Sequence, residues 1–159
     1  MINNHSTKIR NFETRADLEF AASLTKIEGW HSETQVELQS FFDHDPQGCL
    51  IYELYGMAAG ICIATSYQNS GFIGELIVDR RHRNQGIGYT LMEAAVHYLK
   101  SRNIYSIYLD GVQKAIQMYE KLGFAPICRS LRLFGQIPPG THPEMVKMSA
   151  EDLPTIFAF

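Results

Sequence analysis

The sequence is short of charge, of cysteine and of long apolar runs, and each shortage argues against a class of protein. Charged residues make up 19% of the 159 positions and sum to a formal net charge of -3. Such a chain has no general attraction to nucleic acid or to an anionic membrane, so any anion it binds must be held by a local cluster. No apolar run nears the roughly 18 to 20 residues that a membrane-spanning helix needs. Residues 1–10 are polar and carry no apolar signal segment. The three cysteines, Cys49, Cys62 and Cys128, are widely spaced with no C-x-x-C pair. That argues against a disulfide framework or a zinc site and for reduced, buried thiols in a cytoplasmic protein. What is present is a hydrophobic fraction of 45%, ordinary for one compact soluble domain.

Along the chain, residues 8–12 read as an opening strand, and Thr14 as the N-cap of a helix carrying Leu18, Ala21, Ala22 and Leu24. Gly29 breaks that pattern. A second amphipathic stretch starts at Ser32, with Val36, Leu38, Phe41 and Phe42 as its apolar face. Two β-branched runs, 49–54 and 57–66, are separated by Tyr55-Gly56 and predict an antiparallel hairpin. A strand over 72–78 follows. The period then becomes helical over 88–100. A strand over 104–109, a short helix over 113–122 closed by Gly123, and a final strand or strand pair over 124–133 complete the pattern. Hairpins followed by a crossover helix imply an α/β fold with a mixed sheet and helices on both faces.

One stretch carries chemistry. The run Glu75-Leu76-Ile77-Val78-Asp79-Arg80-Arg81-His82-Arg83-Asn84-Gln85-Gly86-Ile87-Gly88-Tyr89 takes a buried strand through a basic turn into two glycines at a helix start. The first N–H groups of a helix lack internal acceptors, and the macrodipole leaves that end partly positive. Gly86 and Gly88 let a ligand approach the backbone, and the arginines add charge where a polyphosphate would arrive. There is no G-x-x-x-x-G-K-[ST], and Leu91 stands where a dinucleotide fingerprint needs its third glycine.

Here the sequence resembles the GNAT acetyltransferase superfamily. Arg83-Asn84-Gln85-Gly86-Ile87-Gly88 matches its [QR]-x-x-G-x-[GA] signature at every defined position, and Leu76-Ile77-Val78-Asp79 matches the strand before it. Ala115-Ile116-Gln117-Met118-Tyr119-Glu120-Lys121-Leu122-Gly123-Phe124 matches the family's A-x-x-x-Y-x-x-x-G-F block. Two blocks in the right order are far more specific than either alone. The resemblance spans about residues 8–133. It implies a GNAT-like, mostly antiparallel central sheet whose fourth and fifth strands splay apart around acetyl-CoA, with no metal.

Carried over by position, the backbone of Leu76, Ile77 and Val78 would pair with the pantetheine arm. Arg83 and the amides of Asn84, Gln85, Gly86, Ile87, Gly88 and Tyr89 would hold the pyrophosphate. Tyr119 would protonate the departing thiolate; the competing reading is a ring packed on the sheet. Val112 departs from the pattern, where asparagine is frequent, and Asp110-Gly111 stands in for the missing polar contact. The attacking amine must be neutral, so a base or a proton-carrying water is required. Glu75 is the best-placed carboxylate for that role, unless it points to solvent or to the wrong sheet face. Trp30 and His31 fall between the first two helices, a region that often covers the acceptor in this family; the alternative is a core tryptophan beside a surface histidine.

The resemblance therefore implies an N-acetyltransferase acting in the cytoplasm on a primary amine of a small molecule or peptide, by direct transfer in a ternary complex. The alternative is a non-catalytic acyl-CoA-binding sensor. The basic run 80–83 has no interleaved aromatic platform, which disfavours nucleic acid. We place the acyltransferase domain over 1–135 and read 136–159 as a proline-rich linker and tail. The tail echoes the start of the chain: Val146-Lys147-Met148-Ser149 runs into Asp152-Leu153, as Ile9-Arg10-Asn11-Phe12 runs into Asp17-Leu18. It resembles the opening of the second half of a two-domain GNAT protein. The competing expectation is that Ile156, Phe157 and Phe159 pack on this domain or on a neighbouring copy, as in a homodimer.

Overall fold

The computed structural model describes residues 7–30, 33–131, 135–136, 140 and 144–157. His31, Leu133, Phe159 and the side chain of Phe157 lie outside the described residues. The chain divides into two compact units, Met1–Cys128 and Arg129–Phe159.

The first unit is built on one sheet in the order β1 (Thr7–Asn11), β2 (Cys49–Leu54), β3 (Met57–Ser66), β4 (Gly71–Val78) and β5 (Ile107–Tyr108). The first three pairings are antiparallel and the last is parallel, with α3 (Ile87–Ser101) as the crossover. Turn chemistry sets the central hairpin: Tyr55 and Gly56 both take positive φ, 54° and 78°, the twist that suits a two-residue loop.

Alternation along the strands sorts side chains to two cores. Cys49, Ile51, Ile61 and Ile63 pack with Leu18, Ala21 and Leu24 of α1 (Arg15–Glu28) and Leu38 of α2 (Gln35–His44). Leu50, Cys62 and Ala64 pack on the opposite face with Ile87, Leu91, Met92, Ala95 and Leu99 of α3. Val36, expected on the apolar face of α2, is exposed because the face that meets the sheet is centred on Leu38. At the far end of β3 the buried Asp45 ties the two layers together. It accepts hydrogen bonds from the Ser66 amide (3.0 Å), the Ser66 hydroxyl (2.6 Å) and the Tyr98 hydroxyl.

Three expectations are corrected. The strand expected over 104–109 is only Ile107–Tyr108, because the Ile104 amide is used to close α3, donating to Leu99 O at 3.1 Å with Asn103 at φ 62°. The segment 124–131 forms no strand. Pro126 has no N–H for a ladder, and Ile127 is exposed. Cys128, in the same segment, is exposed rather than buried.

The second unit holds a short turn at Ala150–Asp152 and α5 (Leu153–Phe157). Ser149 and Asp152 form a capping box there, as Thr14 and Asp17 do at α1. Met145, Val146, Met148 and Ile156 of this unit are exposed.

Candidate active site

The site is laid out along β4. Its pairing with β3 shifts between Ile61–Ile77 and Ile63–Gly74, so two residues of β4, Glu75 and Leu76, stand against the single Cys62. Glu75 carries the bulge, at φ 50°. The extra residue reverses the parity of the strand: Ile73 packs on the α3 face, yet Ile77, four residues on, packs on the α1 face. Left-handed backbone at a residue that is not glycine costs on the order of 1–3 kcal/mol and collects at functional sites.

β5 pairs with β4 only at Gly71–Ile107 and Phe72–Tyr108. Beyond Phe72 the two strands part, and among the described residues no strand covers this edge of β4 from Ile73 to Val78. Leu76, Ile77 and Val78 therefore lie on the segment whose backbone can pair with something other than protein.

The open edge leads directly to the glycine loop. Asn84 and Gly86 take φ 61° and 81°, and Gln85 between them does not. Left-handed residues set between ordinary ones can turn successive N–H groups toward a common anion. Gly86 is the N-cap of α3 and supplies no side-chain cap. The amide of Thr90 already donates to Gly86 O (3.0 Å), which leaves those of Ile87, Gly88 and Tyr89 as the first-turn donors without an intrahelical acceptor. A Cβ built on Gly86 would meet nothing within 4 Å, so its own chain does not demand glycine there; the backbone angle does. A Cβ on Gly88 would sit 3.7 Å from Val78 Cγ2 and 3.8 Å from Met118 Sδ, between the end of β4 and α4 (Ile116–Lys121). Open strand edge, glycine loop and uncapped helix start fit a ligand with an amide-bearing arm and a pyrophosphate.

Tyr119, on α4, is half-buried, packs against the α3-side core and meets Phe124 edge-on at 6.5 Å. Burial, with a smaller contribution from Cys62, raises its pKa above the ordinary tyrosine value. The protonated form, the one a proton donor must hold, is thereby favoured at neutral pH. Gly111 packs on the Tyr119 ring at this wall. Glu75 is half-buried with its Oε2 atom shut off from solvent, near enough to the fully buried Cys62 to push that thiol's pKa up, after burial itself. It does not point into open solvent.

The basic run has partners inside the protein. Arg81 binds Asp79 through two bonds of 3.1 and 2.7 Å. Arg80 reaches the end of α1, at Glu28 Oε1 (3.1 Å) and Ile27 O (2.9 Å). Arg83 donates to Val78 O (2.9 Å) and to Glu28 Oε1 (2.6 Å). Sequence reasoning missed Glu28. A signal was present, since a carboxylate in the last turn of a helix opposes the macrodipole and calls for a cationic partner. After Glu28, α1 closes with Gly29 donating to Lys26 O (3.1 Å) and Trp30 to Thr25 O (3.0 Å). Trp30 is half-buried against the α1-side core, and Thr25 Oγ1 also holds Glu33 O (2.8 Å). A separate hollow of about 350 Å³ opens between the start of α1 and α2, lined by Thr14, Gln35, Gln39 and Phe42 among others, and contains none of the site residues above.

Comparison with known proteins shows the family. The acetyltransferase (GNAT) family profile matches residues 13–124, and the chain belongs to that family. A glucosamine 6-phosphate N-acetyltransferase of Trypanosoma brucei brucei is 29% identical over 96 residues, 58% of this chain and 62% of that protein. An N-alpha-acetyltransferase 30 of Dictyostelium discoideum is 28% identical over 101 residues, 59% of this chain and 55% of that protein. The matched region thus spans less than two thirds of either relative. Among solved structures, Ard1 from Thermoplasma volcanium superposes with a TM-score of 0.70 at 24% identity, covering 77% of this chain and 85% of that one.

Proposed function

We propose that the domain transfers an acetyl group from acetyl-CoA to a primary amine by direct attack in a ternary complex. The observation that carries this is the departure of β4 from β5 after Phe72, which opens a strand edge leading straight to the uncapped start of α3. On this reading, the Leu76–Val78 backbone pairs with the pantetheine amides and the amides of residues 84–89 take the pyrophosphate. The neutral amine attacks the thioester carbonyl, the tetrahedral adduct expels the thiolate, and the Tyr119 hydroxyl gives the thiolate its proton. Glu75 accepts the proton lost by the amine, directly or through one water. The strain held at its backbone and its half-buried position support that role. Trp30, half-buried just after the end of α1, borders the acceptor's approach.

The named activities of the two relatives, one on a sugar-phosphate amine and one an N-alpha-acetyltransferase, support an acceptor that is a small-molecule or peptide amine. The cytoplasm is the compartment in which thiols such as Cys49 and Cys62 remain reduced. Release of CoA from acetyl-CoA against a panel of amino sugars, polyamines, amino acids and peptide N-termini tests the reading. At least one class is expected to turn over, with no acetylated cysteine in the intact mass after incubation with acetyl-CoA alone. Tight acetyl-CoA binding without turnover of any amine would support the sensor alternative instead.

A further inference from the structure

The loop at the start of α3 is held to the rest of the protein by polar contacts. No side chain caps α3, and the turn 80–83 does not sit on a packed apolar surface: a hollow of about 200 Å³, lined by Leu24, Ile27, Val78 and Arg83 among others, lies between it and α1. Polar contacts do the holding instead. Arg83 immediately precedes Asn84, the first left-handed residue of the loop, and its guanidinium is pinned at two points. Nε binds Val78 O, the last carbonyl of the open strand, and Nη2 binds Glu28 Oε1 on α1. The same Glu28 oxygen also accepts from Arg80. The Glu28 side chain is only 14% exposed, and its pKa is lowered mainly by Arg83, so it stays ionised and paired.

We propose that Glu28 is a positioning residue for acyl-CoA: by fixing the far end of the Arg83 guanidinium, it fixes where the amides of residues 84–89 point. The proposal rests on the reading of that loop as the pyrophosphate cradle. It also joins the cradle to the acceptor side of the site, because Glu28 is the last residue of α1, followed at once by Gly29 and Trp30.

Positioning and plain electrostatics predict opposite signs. A carboxylate beside an anion site repels the anion and occupies two arginines. If that were all Glu28 did, its removal would free two cations and tighten acetyl-CoA. If it positions the loop, removal leaves Arg83 swinging from Val78 O and weakens acetyl-CoA. Loss of a charge-assisted hydrogen bond corresponds to about a tenfold rise in Kd or more.

The test is calorimetric titration of the parent, Glu28→Ala and Glu28→Gln with acetyl-CoA and with S-acetylpantetheine, which lacks the pyrophosphate. The parent should bind acetyl-CoA much the more tightly. Glu28→Ala should lose about tenfold or more toward acetyl-CoA while holding S-acetylpantetheine within about twofold, and Glu28→Gln, which keeps an oxygen for Arg83, should recover most of the loss. Equal affinity of the parent for both ligands overturns the cradle reading and this one with it. A parent that discriminates, with Glu28→Ala unchanged, tighter, or weakened equally toward both ligands, overturns the role of Glu28 alone. Should Glu28→Ala fail to fold, Arg83→Lys keeps the charge but cannot make both bonds. It should show the same selective loss, and undiminished acetyl-CoA affinity in that variant rejects the proposal.

Discussion

Gly111 packs so closely on the ring of Tyr119 that a Cβ at position 111 would stand 2.9 Å from Cε2 and 3.1 Å from Cδ2. No side chain fits there without moving the ring. Gly111 thereby sets where the tyrosine hydroxyl sits, although it carries no chemistry itself.

If Tyr119 donates the proton, Tyr119→Phe should lose about 10²-fold in kcat with acetyl-CoA affinity nearly unchanged. Gly111→Ala should reproduce part of that loss, on the order of tenfold, because it displaces an intact hydroxyl. Steady-state kinetics beside calorimetry checks both variants. A Tyr119→Phe enzyme within twofold of the parent would reduce the residue to packing.

Glu75 offers a test in which stability and activity move apart. Its φ of 50° suits glycine better than glutamate, so Glu75→Gly relieves backbone strain of about 1 kcal/mol. The thermal midpoint should hold or rise while kcat falls about 10²-fold. A folded Glu75→Gly enzyme with parental kcat would remove Glu75 as the base.

The central hairpin, the capped start of α1 and the glycine loop were all legible in the sequence, because each is set by local rules: two turn residues, a Thr-x-x-Asp box, a helix start. What was not legible depends on partners distant in the chain. Nothing near Glu75 announces a bulge, which exists only as a register shift against β3. Arg80 and Arg83 read as free positive charge in the sequence because their partner, Glu28, lies more than 50 positions earlier. The segment 124–131 has strand-like residues, yet Pro126 has no N–H to give to a ladder.

The start of α1 predicts an acid limit. Burial alone would raise the pKa of Asp17. The Arg10 guanidinium, at 2.7 and 2.9 Å, and the amides of Glu13 and Thr14 outweigh burial and hold it at about 2. A carboxyl whose pKa is lower in the folded state stabilises the fold above its unfolded value, near 4, and loses that contribution as pH falls toward 2. Linkage puts the effect at about 2 kcal/mol. Denaturant melts of Asp17→Asn should show lower stability at pH 7 and a flatter dependence between pH 4 and 2. A slope equal to the parent's would place the acid sensitivity elsewhere.

The thiols should separate cleanly. Burial, then Asp45, pushes Cys49 up to about 12, and burial, then Glu75, raises Cys62 as well, whereas Cys128 is exposed. Ellman's reagent on the native protein should titrate one thiol quickly and the other two only on unfolding. Rapid modification of Cys49 or Cys62 would contradict the packing of β2 and β3.

The central claim is that acetyl-CoA lays its pyrophosphate on the backbone of the loop that starts α3, and Gly86 tests it most directly. At φ 81° a β-branched residue must shift the loop, yet its Cβ would touch no protein atom, so the fold should survive. Gly88 has an ordinary helical position with room for a methyl, and Gly88→Ala serves as the control. Calorimetric titration with acetyl-CoA should show binding by the parent and by Gly88→Ala, and none by a folded Gly86→Val. Parental affinity in Gly86→Val would place the pyrophosphate somewhere else.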